Sequence, residues 1–356
     1  MDDNIKIFVV THIPYKLFGD EYFVPIHAGR AIANDLSKDG KINNDDYNWL
    51  LNNTIGDDSG ENISARNRYY SECSALYWVW KNYDKIGNPE YVGLMHYRRH
   101  FVFDNEYFDS VNKGNWEAGL QFIKHNFITD EYIKRIGLTK ENIKNACMNN
   151  DLIVSRDARL DLVRNRNLRE DYDETILGTD VKDFDLMLNI IKENYPEYTD
   201  VIQENINGYR KTMYQMFIMK KELFFEYCEF LFDVLFKLEK QIDFSEYTIN
   251  GKRSLGYLAE LLHSIYVWKK EKENKRILKL GVSFVEYPFE QEKLEKILKK
   301  GCPTRFSKLV AQLKYLFATG EKKILLREQY EKIKNQRTSY IKLKKLKGKN
   351  YDQINR

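Results

Sequence analysis

The chain opens on an apolar run, Ile5 to Val10, interrupted only by Lys6, that empties into Thr11 and His12. A run this short, apolar on both parities, is the pattern of a strand buried on both faces, as strands of a parallel sheet are. Tyr91-Val92-Gly93-Leu94-Met95 repeats the pattern and exits into His96, and Asp151 to Ser155 repeats it again around Leu152-Ile153-Val154. Between the first two, Tyr69, Cys73, Leu76, Tyr77 and Trp80 recur at three- and four-residue spacing. That spacing predicts a helix over 65–83 with Ser64 as its N-cap. The same periodicity predicts helices over 184–194, 221–239 and 254–268, and a short strand over 282–286 closing the sheet.

Strands alternating with helices predict an α/β protein with an open sheet flanked by helices. In such sheets ligands bind outside the carboxyl ends of the strands. Thr11, His12, the His96 region and residues 155–157 are therefore expected to meet.

Composition adds a domain boundary. The 356 residues suffice for a large core without metals or disulfides, and the 25 tyrosines offer many rings able to stack on sugars or bases. The chain carries net +4, yet residues 291–356 hold 19 lysines and arginines against 6 acids, so the first 290 residues are net acidic. Residues 1–290 are expected to form the folded domain and 291–356 a basic helical extension. Within it, Phe306, Leu309, Val310, Leu313 and Phe317 form an apolar stripe flanked by Arg305, Lys308 and Lys314. Such a helix suits an anionic membrane surface; docking on the body, followed by a solvated basic end, explains the same pattern.

The four cysteines, Cys73, Cys147, Cys228 and Cys302, form no CxxC pair, which points to reduced thiols rather than a disulfide framework or a zinc site. No stretch approaches the ~20 apolar residues of a membrane span, and the N-terminus lacks a signal-peptide pattern. The expected location is the cytoplasm, peripheral on the inner face of the membrane.

Four segments carry candidate chemistry. In YVGLMHYRRHF (91–101) a strand delivers His96, Tyr97, Arg98 and Arg99 to one end, a receptor for phosphate oxygens; an ordinary ion pair for one arginine and solvation of the other is the competing reading. In GDDSGENISARNRYYSECSALYWVWKN (56–82), Asn62, Ser64, Asn67 and Glu72 are candidate partners for a base or ribose, while capping explains Ser64 equally well. In 207–231 the turn holding Tyr214 and Gln215 is a candidate acceptor pocket. In RSLGYLAELL (253–262), Arg253, Tyr257 and Glu260 share one helical face, and Glu260 is a candidate base or half of a structural ion pair.

VVTHIPY (9–15), GENISARNRYYSECSALYWVWKN (60–82), GLMHYRRHF (93–101), YQMFIMKKELFFEYCEFLF (214–232) and RSLGYLAELL (253–262), in that order, resemble the bacterial capsule and O-antigen glycosyltransferases marked by a strand ending in HYRR. The resemblance spans about residues 5–290. It implies a GT-A-like fold with a single Rossmann-type α/β sheet flanked by helices, a UDP-sugar donor with UDP-galactofuranose or UDP-galactose foremost, and a lipid-linked polysaccharide acceptor. On that fold, Thr11, His12, Asn62, Ser64, Asn67, His96 and Tyr97 are expected at the donor, Tyr214, Gln215 and Arg253 at the acceptor, and Arg98, Arg99 and Glu260 in catalysis. Glu72, Asp104 and Asp157 rival Glu260 as base. The chain departs from the family pattern at Gln215, where Asn is usual, at Arg66, where Lys is common, and at Glu61, where Asp is frequent. GT-A enzymes commonly carry Asp-x-Asp after the central strand to hold Mn²⁺ or Mg²⁺. Here His96-Tyr97-Arg98-Arg99 stands there, so no required cofactor or metal is expected. A non-catalytic scaffold in polysaccharide assembly and a nucleic-acid-binding protein acting through the basic tail are the rival classes; the acidic body carries no nucleic-acid motif, so no nucleic-acid partner is expected.

Overall fold

The computed structural model describes residues 4–289, apart from 36, 38–40, 112–115, 118–119, 163–164 and 176–177, together with 302–317 and scattered helical positions between 326 and 341. Twelve strands run in chain order among these residues: β1 (Ile5–Thr11), β2 (Phe23–His27), β3 (Ile55–Gly56), β4 (Tyr91–His96), β5 (Arg99–Val102), β6 (Trp116–Glu117), β7 (Leu120–Phe127), β8 (Leu152–Ser155), β9 (Asp157–Arg159), β10 (Arg210–Thr212), β11 (Phe217–Lys220) and β12 (Ile277–Tyr287). Ten form one sheet in the order β3-β2-β1-β4-β11-β8-β12-β7-β6, with β5 pairing β4 and β12; β9 and β10 make a separate ribbon.

The sheet is mixed. β1 pairs in parallel with β2 and β4, and β12 with β7 and β8, but β11 runs antiparallel between β4 and β8. Helices cover both faces. Phe8, Val10, Leu94, Val154 and Phe217 point to one core with the helices Cys73–Lys81, Lys182–Asn194, Lys221–Glu239 and Ser254–Lys272. Ile7, Val9, Met95, Ile153 and Ile218 point to the other, with Tyr15, Phe108, Tyr132 and Ile143. Alternate residues of each central strand are thus buried on opposite faces, which is why these strands read as continuous apolar runs.

The helix expected over 65–83 is broken into Ser64–Arg66, Asn67–Tyr70 and Cys73–Lys81, with Ser71 between at φ 52°, ψ −130°. Ser64 is not its N-cap; its hydroxyl is spent on Asp57. The last strand runs from 277 to 287 rather than 282 to 286, because β12 bridges β8 and β7 as well as β5. No helix among the described residues is long and apolar enough to cross a membrane.

The boundary expected at 290–291 lies outside the described residues. Beyond it, the helix Arg305–Leu316 packs Tyr315 against Tyr330, and Arg337 donates to the Pro303 carbonyl, so two helical segments lie side by side. Phe306, Leu309, Leu313, Leu316 and Phe317 face outward, Phe306 at 73% and Phe317 at 84% exposure.

Candidate active site

A cavity of about 610 Å³ opens at the carboxyl ends of β1, β2 and β4. Its size falls within the usual range for small-molecule sites. Val10 to Ile13 and His96 to Arg99 form one side, His27 to Gly29 a second, and Asn67, Arg68, Ser71, Glu72, Arg253, Tyr257 and Glu260 a third.

One buried carboxylate organises the second side. Asp57 accepts from the backbone amides of Gly29 (2.8 Å) and Arg30 (3.0 Å) and from the hydroxyls of Ser64 (2.5 Å) and Ser74 (2.6 Å). Burial pushes its carboxyl above the usual carboxylate range, while these four donors pull against that shift. Gly29 is held at φ 71°, where a Cβ would meet Asn67 Cγ at 2.5 Å, so only glycine lets the turn lie against that helix. Arg30 fixes the turn from behind, donating to the Thr54 carbonyl and hydroxyl.

The end of β4 is cationic. The Arg99 guanidinium lies 4.3 Å from the Tyr214 ring centroid, and that of Arg98 lies 5.0 Å from the Phe284 ring. Neither makes an ion pair with any described residue, and the buried Arg99 Nε has no hydrogen-bond partner. Arg68 likewise leaves a buried Nη2 unpartnered on the opposite wall. Buried donors of this kind cost free energy until an acceptor arrives. His96 Nε2 donates to the Tyr214 carbonyl (2.7 Å), and burial, reinforced by Arg99, holds its pKa down at about 4, so the ring is neutral at pH 7.

The third side rests on the Ser71 turn. Asn67 Nδ2 donates to the Ser71 carbonyl (2.6 Å), and Arg253 Nε donates to the Ser71 hydroxyl (3.0 Å). Gly256 leaves room for it, since a Cβ there would sit 2.9 Å from Ser71 Oγ. Glu72 follows directly and its carboxylate meets no described partner. Glu260, by contrast, lies 3.4 Å from Lys211 Nζ, both side chains largely buried.

Of the sequence-predicted residues, Thr11, His12, Asn67, His96, Tyr97, Arg98, Arg99, Tyr214, Arg253 and Glu260 line this cavity. Three do not. Gln215 is fully buried, its amide donating to Tyr227 and accepting from Cys73. Asn62 folds onto its own loop through the Gly60 carbonyl and the Ser64 amide. Ser64 is sealed beneath Asp57. Thr11 presents its backbone, since its hydroxyl is turned onto Ile13, and the Asn67 amide group is committed to the Ser71 turn. Residues 155–157 are also elsewhere. Ser155 bonds the Met213 amide and carbonyl, and Asp157 binds Lys279 and Arg210, because the chain leading into antiparallel β11 crosses the end of β8. Sequence reasoning missed Arg68, Gly29, His27 and Asp57. Arg68 stood in the quoted 60–82 segment, but nothing in a sequence says which of two neighbouring arginines turns inward.

The turn after β4 offers two guanidiniums and a neutral imidazole with no carboxylate, and the described residues contain no group of three or more His, Cys, Asp or Glu able to hold a metal.

A family model described as a domain of unknown function, DUF4422, matches residues 6–272. Among solved structures, the chain is similar to an apo structure of WbbM, a bifunctional glycosyltransferase, with 29% identity and a TM-score of 0.66 over 80% of this chain and 45% of that one. The chain thus spans less than half the length of that enzyme. Among curated proteins none matches.

Proposed function

We propose that this chain, which belongs to the DUF4422 family, is a glycosyltransferase that moves a sugar from a nucleotide-sugar, foremost UDP-galactofuranose or UDP-galactose, to a lipid-linked acceptor of a capsule or O-antigen polysaccharide. The observation that carries the reading is the set of guanidiniums without carboxylate partners, Arg98, Arg99 and Arg68, around a cavity at the strand ends. A nucleoside diphosphate supplies the charge those donors lack, and arginine forks match phosphate oxygens in pairs. The likeness to WbbM, named as a glycosyltransferase, agrees with this chemistry.

In the reaction the acceptor hydroxyl attacks the anomeric carbon while the bond from that carbon to the diphosphate breaks. Arg98 and Arg99 stabilise the charge growing on the departing diphosphate, the role a metal takes where acids follow the central strand. The walls of β1 and β2 are left for the nucleoside, with Thr11, His12 and Tyr97 beside it. Tyr214 and Arg253 face the acceptor side.

The outward stripe of Phe306, Leu309, Leu313, Leu316 and Phe317, with Arg305 and Lys314 beside it, supports attachment to an anionic membrane, where a lipid-linked acceptor lies.

The test is thermal shift of the full chain against UDP, UDP-galactose, UDP-galactofuranose, UDP-glucose, UDP-N-acetylglucosamine and GDP-mannose, each with Mn²⁺ and with EDTA. A rise confined to UDP compounds that persists in EDTA supports the reading; no shift with any nucleotide overturns it. Removing residues 303–356 is expected to abolish retention on vesicles of 30% phosphatidylglycerol, and unchanged retention would refute the membrane role.

A further inference from the structure

We infer that Glu72, rather than Glu260, is the catalytic base that takes the proton from the acceptor hydroxyl. The inference rests on the glycosyl-transfer reading and names the group that reading leaves unassigned.

Two carboxylates compete for the role on the same wall. Glu260 is 3.4 Å from Lys211 Nζ, with 19% and 12% of the two side chains exposed, and Asp171 approaches the same ammonium at 4.0 Å. A carboxylate neutralised by a buried ammonium is a poor proton acceptor, because taking a proton discards an ion pair that little solvent replaces. Glu72 lines the cavity and, among the described residues, forms no ion pair and no side-chain hydrogen bond. Its lone pairs are available to a bound hydroxyl.

The backbone that presents Glu72 is built with care. Ser71, at φ 52°, ψ −130°, occupies a conformation that L residues rarely adopt and that persists only when the surroundings impose it. Three residues on two elements impose it. Asn67 holds the Ser71 carbonyl, Arg253 holds its hydroxyl from the Ser254–Lys272 end, and Gly256 clears the space beneath. If 65–83 ran on as one continuous helix, no such restraint would be needed. The break ends one helix at Tyr70 and starts the next at Cys73, leaving Glu72 in the corner between them on the cavity wall. Strain maintained by two side chains and a gap on two segments, beside an unpartnered carboxylate in a cavity, is the signature of a positioned reacting group. Arg253 then acts as a positioning residue through Ser71.

The step balances simply. The Glu72 carboxylate accepts the acceptor's hydroxyl proton as that oxygen bonds the anomeric carbon. The electron pair of the broken carbon–oxygen bond leaves on the nucleoside diphosphate against Arg98 and Arg99, and Glu72 later returns its proton to water.

The experiment compares wild type, Glu72→Gln and Glu260→Gln as full chains, with UDP binding followed by calorimetry and UDP release followed from the UDP-sugars named above, with octyl β-galactoside as acceptor. For Glu72→Gln the expected result is UDP affinity within threefold of wild type, an unchanged unfolding midpoint, and kcat lower by about 100-fold or more. The acid limb of the kcat–pH profile should disappear with it, which a merely structural role would not produce. Glu72→Gln retaining kcat within threefold while wild type turns over, or Glu260→Gln losing kcat and the acid limb with its fold intact, would overturn the assignment alone. A wild type that neither binds UDP nor releases it would instead overturn the glycosyl-transfer reading beneath it.

Discussion

Replacing Asp57 tests whether the cavity wall is organised as described. In Asp57→Ala, four buried donors lose their acceptor. The Ser74 hydroxyl has a second acceptor, the Ser71 carbonyl at 3.2 Å, and recovers. The Gly29 and Arg30 amides and the Ser64 hydroxyl have none, and each stranded buried donor costs about 1–3 kcal/mol. Entry of a water into the space left by the carboxylate trims the sum to about 4 kcal/mol, a large part of the 5–15 kcal/mol typical of a domain. Asp57→Asn should lose about half as much. The amide oxygen can keep Arg30 and Ser64, and the Ser74 hydroxyl can turn to accept from the new NH₂, but the Gly29 amide then faces a donor. Urea unfolding followed by tryptophan fluorescence measures both, and calorimetry with UDP reports whether the Gly29 turn still shapes the cavity. A loss below about 1 kcal/mol for Asp57→Ala, with UDP binding unchanged, would refute the claim that this carboxylate holds the wall.

Three further outcomes follow from the same geometry. Arg99→Ala should weaken UDP binding about 10–100-fold by calorimetry, the value of one or two charge-assisted hydrogen bonds, while Arg99→Lys keeps the charge, loses the fork and the Tyr214 ring, and recovers only part. Asp151 is held well below the usual carboxylate range, first by Arg276 and then by Lys220, so its stabilisation is full above pH ~4 and drains away as pH falls further. The slope of stability against pH below 4 should therefore flatten in Asp151→Asn, and an unchanged slope would contradict it. Burial lowers the His96 pKa from 6.5 to about 4, so the unfolded chain binds the proton first and stability falls as pH drops from about 6.5 to 4. His96→Gln, which keeps a donor for the Tyr214 carbonyl, should remove that part of the unfolding-midpoint profile.

Much of the scaffold was legible because its physics is local. β1, β4 and β8 are central, two-sided strands, so hydrophobic runs announced them within a residue, and Lys221–Glu239 was read to the residue from its apolar spacing. The helix over 65–83 failed for the opposite reason. Its apolar spacing runs unbroken through Ser71, and the break is imposed by Asn67 together with Arg253 and Gly256, the last two 182 and 185 residues away in sequence. Periodicity reports which residues are buried, and it is blind to a restraint applied by side chains from another segment. Asn62 and Ser64 illustrate the same limit: a small polar residue in a loop has the composition of a ligand contact and of a turn, and only the coordinates of its partners separate them.

The misplacement of residues 155–157 has a sharper cause, and it bears on how the site is read. The strand-end rule gathers chain ends at one edge only where neighbouring strands run the same way, yet β11 enters antiparallel between β4 and β8. A strand entering from the carboxyl edge must bring its preceding chain across that edge, and Met213 to Gln215 make the crossing, with Tyr214 at φ 69° and Gln215 at φ 52°. One consequence is that Ser155 is sealed by Met213. Another is that the Tyr214 carbonyl and ring are delivered to His96 and Arg99. The same antiparallel insertion that removes β8 from the cavity therefore supplies the ring and carbonyl that orient the end of β4. Gln215 anchors the crossing from below through Tyr227 and Cys73, which explains a buried polar residue in an aromatic core without assigning it a ligand. Besides the Gly29 turn, the segment 213–216 and the Ser71 turn bring backbone in left-handed or otherwise rare conformation to the cavity, and they hold the cationic and the acidic sides of the site respectively.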